Sequence, residues 1–313
     1  MTGRVSSPNS SSMNADDFPP EGTVPASISG PALRIERPET QTAPLVFSSP
    51  HSGRVYPPAF VAGSPLGALA LRRSEDAFLD RLYAGVPGLG APLLHALFPR
   101  AYIDPNREPW ELDPTMFRDP LPAFVNARSP RVAAGFGTIA RIVSNGAEIY
   151  RAPLPFAEAE TRVHECYRPY HDALEALLTE TQAQFGQAAL IDCHSMPSIG
   201  GPTEKDAGRR RVDFILGDCF GTSCAPVLGV AVADWLRAAG YSVQFNDPYA
   251  GGFITRHYGR PATGRHALQI EINRSLYMRE QTVEPSADFE RFKADIDRLV
   301  AFLVAEVASL IRP

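Results

Sequence analysis

The sequence predicts an α/β protein of three layers, with a mostly parallel central sheet between two layers of helices. Three observations carry that prediction. Short apolar runs alternate along the chain with helical patterns, the order that a sheet covered by helices on both faces requires. The runs are bounded by Gly, Pro, Asp or Asn, and several are apolar at consecutive positions, as strands buried on both faces are. The C-terminal segment carries large apolar residues at helical spacing, a stripe suited to packing on a sheet.

The elements follow in chain order. The first 30 residues are rich in Ser, Pro, Asn and Gly and almost empty of large apolar side chains. Such a segment cannot bury enough surface to offset the entropy of ordering it, so residues 1–30 are expected to be disordered, and 31–313 to form one domain. Met13 is an alternative start. Candidate strands are Leu45–Ser48, Ala101–Ile103, Ala188–Asp192, Asp213–Leu216, Ser242–Phe245 and Leu268–Ile272. Phe156–Gln184 reads as a long helix broken or kinked near Pro169. Ala225–Ala239 reads as an apolar helix stopped by Gly240. In Ala287–Ile311 the stripe is Phe289, Phe292, Ile296, Leu299, Leu303, Val307 and Leu310. No internal repeat is visible.

Composition narrows the function. With 313 residues and 44% hydrophobic content, the chain can build a core without staples. A net charge of -5 and a pI near 5.8 leave no basic footprint for nucleic acid. Cys166, Cys193, Cys219 and Cys224 are too few for a disulfide framework and read as reduced thiols. No run approaches a membrane span, and no secretory signal is present, so a cytoplasmic location is expected. A small anionic substrate would need local cations inside this mildly acidic protein.

Chemistry in such sheets gathers at the carboxyl ends of strands. Two of the seven histidines follow directly on strands there: His51, after PLVFSSP, and His194, after ALIDC. A catalytic zinc needs two such imidazoles, a third ligand and an open position for water. A lone loop histidine is more often a hydrogen-bonded structural residue; two at strand ends are harder to dismiss. In RRSEDAFLD, Glu75, Asp76 and Asp80 all remain candidates for the third ligand, although acidic residues also favour the first turn of any helix. Glu271 stands in ALQIEIN at the end of a probable central strand, where an ionised carboxylate is costly without a cation or a metal. The plainer alternative pairs it with Arg274.

Substrate anions call for arginine, whose planar fork matches a carboxylate. Asn106 and Arg107 lie just past a predicted strand, Arg256 lies beside His257 in the Gly-rich GGFITRHYG, and Arg141 is a weaker third cation. No Gly-Lys-Ser/Thr follows those glycines, so a phosphate cradle is not indicated. His164 and His171 sit about 10 Å apart on one helix, too far to share a metal. His171 reads as a structural hydrogen-bonder, and His95 and His266 lack supporting context.

Taken in order, Pro50-His51-Ser52-Gly53, Ser74-Glu75-Asp76, Asp104-x-Asn106-Arg107, Pro169-Tyr170-His171, Asp192-x-His194-Ser195-Met196 and Gln269-x-Glu271-x-Asn273 resemble the N-formylglutamate amidohydrolase family over roughly residues 44–280. Each motif is short, but six in sequence are specific. The resemblance implies a zinc carboxypeptidase-like fold with a mixed sheet, related to aspartoacylases. It implies one Zn2+ per chain on His51, His194 and a third ligand, Glu271 as general base, and Asn106-Arg107 gripping a substrate carboxylate with help from Arg256. Carboxypeptidases place a glutamate three residues after the first histidine; here that residue is Arg54. Family members often show Asp-Thr-Asp where this chain has Ser74-Glu75-Asp76, which selects Asp76 over Glu75. The implied reaction is hydrolysis of N-formyl-L-glutamate to formate and L-glutamate, in histidine breakdown. The implied partner is a small anionic N-acyl amino acid, with no nucleic acid and no membrane.

Three rivals remain at this point. One is an aspartoacylase- or carboxypeptidase-like hydrolase of another N-acyl amino acid or peptide. Another is a serine hydrolase using Ser195 or Ser52, against which stands the absence of a Gly-x-Ser-x-Gly elbow. The third is a non-catalytic amino-acid-binding module.

Overall fold

A computed structural model describes residues 27–28, 30–202 and 204–311. The segment read as disordered, residues 1–30 with Met13 in it, lies outside the described residues apart from 27, 28 and 30. One seven-stranded sheet runs in the order β1-β3-β2-β4-β7-β5-β6. Its strands are β1 (Leu33–Glu36), β2 (Leu45–Ser49), β3 (Leu93–Ala96), β4 (Ala188–Met196), β5 (Phe214–Gly217), β6 (Val243–Phe245) and β7 (Arg265–Asn273). The adjacent strands β3, β2, β4 and β7 are all parallel. β1 joins β3 and β5 joins β7 antiparallel, while β6 runs with β5. The sheet is mixed and mostly parallel, as expected.

Helices cover both faces. In chain order they are α1 (Pro58–Gly63), α2 (Ala68–Leu71), α3 (Leu79–Leu82), α4 (Pro130–Ala133), α5 (Phe156–Arg162), α6 (Arg168–Phe185), α7 (Pro226–Ala238), α8 (Phe253–Tyr258) and α9 (Phe289–Leu310). On one face Phe47, Ile191, Leu268 and Ile270 pack with Leu228 and Val232 of α7 and Phe292, Ile296, Leu299 and Leu303 of α9. On the other, Val46, Leu94, Leu190 and Ala267 meet Tyr170, Leu174, Leu177 and Leu178 of α6. The C-terminal stripe is buried from Phe289 to Val307, with Leu310 half-buried. Each such side chain removed from water is worth about 1.5–3 kcal/mol, which makes α9 a principal anchor of its layer. No helix among the described residues is long and apolar enough to cross a membrane. All four cysteines are free thiols, three of them buried.

Several expectations fail for identifiable reasons. Ala101–Ile103 is not a strand: Tyr102 and Ile103 donate their N–H groups to the Pro99 carbonyl, closing a turn. The strand of this region is β3, whose Leu-Leu-His-Ala has no β-branched residue to announce it. β1 alternates Leu and Ile with Arg and Glu as a half-buried edge strand and escapes notice by its shortness. The helix through Pro169, by contrast, is interrupted close to that residue as expected. α5 ends at Arg162, a π-helical turn spans Val163–Tyr167, and α6 resumes with Pro169 in its first turn. Proline has no N–H for the carbonyl four residues earlier, and the widened turn absorbs the mismatch. Glu75 and Asp76 do not open a helix; they lie in an extended link between a 3₁₀ turn (Arg72–Ser74) and α3, where Phe78 adopts φ 68.

Candidate metal centre

The two innermost strands divide their residues by parity. Along β4, Ala189, Ile191 and Cys193 enter the α7/α9 core, whereas Ala188 and Leu190 face α6. The α6-facing series turns polar as the strand proceeds, giving Asp192 and then His194. Along β7, Leu268, Ile270 and Ile272 enter the α7/α9 core, and Ala267 is followed on the opposite face by Gln269, Glu271 and Asn273. The parallel register pairs Asp192 with Gln269 and His194 with Glu271. A period of two with polar members was readable in AALIDCHSM and HALQIEIN; treating these runs as uniformly apolar missed it. His194 and Glu271 therefore sit inside strands rather than in the loops beyond them. His51 arrives two residues after β2, the strand next to β4.

These elements bring three predicted ligands together. His51, Asp76 and His194, each at most 2% exposed, offer donor atoms that all lie within 4.8 Å of one another and can hold a metal ion. Asp76 Oδ2 is 3.3 Å from His51 Nδ1 and 3.1 Å from His194 Nδ1. Donors on a tetrahedral zinc with bonds of about 2.0–2.1 Å stand roughly 3.3 Å apart, so these spacings fit. The remaining ring nitrogens face carboxylates. His51 Nε2 donates to Asp104 Oδ1 at 2.7 Å. His194 Nε2 accepts from Asn106 Nδ2 at 3.2 Å and lies 3.1 Å from Asp192 Oδ1, a buried oxygen that has no hydrogen-bond partner among the described residues. A proton on His51 Nε2 leaves the Nδ1 lone pair of that ring free for a cation, the carboxylate–histidine–metal arrangement of many zinc sites.

The third candidate is fixed from behind. Asp76 Oδ1 accepts from Arg274 Nη2 at 3.0 Å and from Ser195 Oγ at 3.1 Å, and the Asp76 N–H donates to the His51 carbonyl. Burial would raise the Asp76 carboxyl, but bonds from His194 and His51 and the Arg274 charge hold it well below the usual range. Burial would lower the His194 imidazole, yet the Asp192 and Asp76 carboxylates hold it well above. A metal must displace those protons, so its affinity falls in acid. Glu75 is turned away, bonded to Tyr56 and Arg72. Asp80 pairs with Arg54, and Arg274 pairs with Asp76 and reaches Glu271 through its charge alone.

Glu271 is buried beside His194, and burial, opposed by His194 and aided by Asp76, pushes its carboxyl up to about 7. Gln269 orients it. The Gln269 Oε1 accepts from Gly252 N at 2.8 Å, which turns its Nε2 to donate to Glu271 Oε1 at 2.8 Å. Asn106 Oδ1 accepts from Ile254 N at 2.8 Å, and a Cβ on Gly252 would stand 2.2 Å from the Asn106 amide. Only glycine lets α8 start this close.

The predicted cations separate. Arg107 is buried, with Nε on the Phe136 carbonyl and Nη1 on that of Asn106. Arg256 is exposed on α8 and makes one long contact to the Gly251 carbonyl. Arg141 pairs with Asp113 and Glu148 and makes no contact with the histidine cluster. Sequence reasoning missed Arg100, which binds Asp104 Oδ2 at 2.9 Å and feels the charges of Asp76 and Glu271. It also missed Asp104 and Asp192 as imidazole partners. Reading Leu93–Ala96 as a strand would have placed Arg100 and Asp104 at its carboxyl end. Neither serine of the hydrolase rival meets an imidazole: Ser195 is bonded to Asp76 and Arg274, and Ser52 to Ser49.

His171 is the structural residue it was expected to be. Nε2 donates to the Pro105 carbonyl at 2.9 Å and Nδ1 accepts from Tyr258 at 2.9 Å, tying α6 to α8 and to the Asn106 loop. Burial lowers its pKa to about 4. Above pH 6.5 it is neutral folded or unfolded and contributes nothing. Between pH 6.5 and 4 the unfolded chain gains a proton that the fold refuses, so stability falls, by up to about 3 kcal/mol. His171→Gln is expected to flatten that part of the acid slope in urea melts taken across the range. An unchanged slope would show that His171 already titrates freely.

The family model described as N-formylglutamate amidohydrolase matches residues 43–278. An N-formylglutamate deformylase of Pseudomonas aeruginosa is 34% identical over 267 residues, 84% of this chain and 91% of that protein. One from Pseudomonas putida is 34% identical over 240 residues, 76% of this chain and 82% of that protein. The crystal structure of an N-formylglutamate amidohydrolase from Ralstonia eutropha JMP134 matches with a TM-score of 0.80 at 38% identity, covering 89% of this chain and 99% of that one. The matched span takes in every residue of the cluster, from His51 to Arg274, together with the parallel strands that hold it: the chain belongs to the N-formylglutamate amidohydrolase family.

Proposed function

We propose that this chain hydrolyses N-formyl-L-glutamate to formate and L-glutamate, using a zinc ion held by His51, Asp76 and His194 and a general base, Glu271. The observation that carries the proposal is the set His51–Asp76–His194 with Glu271 paired in register beside it, in a chain whose relatives are N-formylglutamate deformylases. Bound zinc would supply a polarised carbonyl and a water acidified to a pKa of about 7.

The remaining work falls to side chains. Glu271, kept basic by burial and oriented by Gln269, takes a proton from the water that attacks the formyl carbon. It returns that proton to the departing nitrogen as the C–N bond breaks. Asn106 and Arg107 hold a substrate carboxylate, with Arg256 at the rim, so that the formyl group is presented to the base. Arg141, spent on Asp113 and Glu148, is left out. Metal analysis of purified protein together with product assays tests the proposal. Zinc near one per chain and formate from N-formylglutamate well above acetate or amino-acid release from other N-acyl amino acids and dipeptides are expected. Full turnover after chelation, or preference for an acetyl group or a peptide, would overturn it.

A further inference from the structure

The segment that carries α4 lies directly on the Asp104–Glu111 loop. Asp104 N donates to Thr138 O at 2.8 Å, Thr138 N to Glu111 O at 2.8 Å, and Arg107 Nε to Phe136 O at 2.9 Å. Phe136 N in turn donates to the Arg131 carbonyl at 2.8 Å, so the turn bearing Arg131 is tied through one residue to the guanidinium of Arg107. Arg131 is half-buried, yet its side chain makes no hydrogen bond or ion pair with any described residue. Guanidinium groups taken partly out of water are normally paired. This one is not.

Charges of both signs surround it. The strongest charged neighbours of Arg131 are Arg256 and Arg100 on one side and Asp104 and Glu111 on the other, and Arg107 faces the same two carboxylates. Asp104 is already engaged by Arg100 and His51. Two guanidinium groups and two carboxylates around Arg131 cancel one another and leave its own charge without a partner. Burial and the charge of Arg256 accordingly hold Arg131 below the ordinary arginine range, and burial with Arg131 and Arg100 brings Arg107 down to about 9 against the pull of Asp104. A substrate carboxylate would supply that partner, and N-formylglutamate has one to spare beyond its α-carboxylate.

We propose that Arg131 binds the side-chain carboxylate of the substrate, in a second anion subsite shared with Arg256 and adjoining Arg107, and so makes the site selective for an acidic N-formyl amino acid. The assignment rests on the proposed activity and refines it. Arg107 is left with the α-carboxylate, which every N-formyl amino acid carries. A charge-assisted contact of this kind corresponds to about 10- to 100-fold in discrimination.

The zinc-loaded full chain tests this in two ways. The first compares kcat/KM for N-formyl-L-glutamate and N-formyl-L-glutamine, which differ in side-chain charge alone. Arg131→Gln should lower the ratio about 10- to 100-fold, mainly through KM for the acidic substrate, and Arg131→Lys should retain part of the preference. Equal losses on both substrates, or no loss on either, would overturn the subsite. The second is calorimetric titration with L-glutamate and L-glutamine, which needs no turnover. If the parent protein binds glutamate better and Arg131→Gln removes that preference, the subsite stands even where no formate is released, and only the proposed reaction falls. A parent protein without the preference refutes the subsite directly. Should the glutamine variant fail to fold, the intermediate ratio expected of Arg131→Lys decides the matter.

Discussion

Glu271→Gln is expected to keep its zinc and lose about 10²- to 10⁴-fold in kcat on N-formylglutamate, the usual span for a general base. The amide has nearly the shape of the carboxylate, and its oxygen can still accept the Gln269 Nε2–H bond seen at 2.8 Å. The strand register and the three side chains proposed as metal ligands should therefore stay in place. What disappears is a group that can take a proton. The parent enzyme should also show an acid limb in kcat/KM, because the carboxylate is the working form. Burial sets its midpoint near 7, and a cation bound beside it moves that midpoint down. Metal content by mass spectrometry beside steady-state rates checks both points. A glutamine variant with full zinc and near-normal turnover would remove Glu271 from the reaction.

Asp76→Ala should be the most damaging single change to the protein as a whole. Its two oxygens meet His51, His194, Ser195 and Arg274, all buried. Removing it leaves the Arg274 cation and two imidazoles without their common acceptor, and breaking a buried pair in this way costs about 3–5 kcal/mol. The same change removes one of the three proposed ligands. Zinc should no longer copurify, and the denaturant midpoint should fall even when the parent is measured metal-free. Stoichiometric zinc together with an unchanged midpoint would mean that Asp76 is neither ligand nor keystone.

Much of this was legible before any coordinates. The alternation of apolar runs and helical stripes gave the three layers because burial of long, strongly periodic segments leaves few alternatives. His51 and His194 stood out because histidines at strand ends are rare and a sheet gathers such ends at one edge. The family pattern pointed to Asp76 rather than Glu75, and the fold turns Asp76 toward the imidazoles and Glu75 toward Tyr56 and Arg72. Other features were hidden by physics that does not show in spacing. Leu93–Ala96 is a strand made of helix-favouring residues, held by neighbours on both sides. Asp104 and Asp192 look like ordinary loop and strand acids until the fold aims them at imidazole nitrogens. Arg131, distant from every motif in the sequence, comes near Arg107 only because its loop folds back on the Asp104–Glu111 loop through backbone bonds and through Phe136 O, which accepts from Arg107 Nε.

The parity of β4 and β7 also bears on how the protein folds. If β7 slid by a single position, Gln269, Glu271 and Asn273 would be thrust beneath α9, and Ile270 and Ile272 would be expelled among the imidazoles. Such a mispaired chain would bury a charge among apolar side chains and leave the imidazoles facing apolar ones. The register that buries the apolar side chains of β7 is thus the same one that sets Glu271 beside His194.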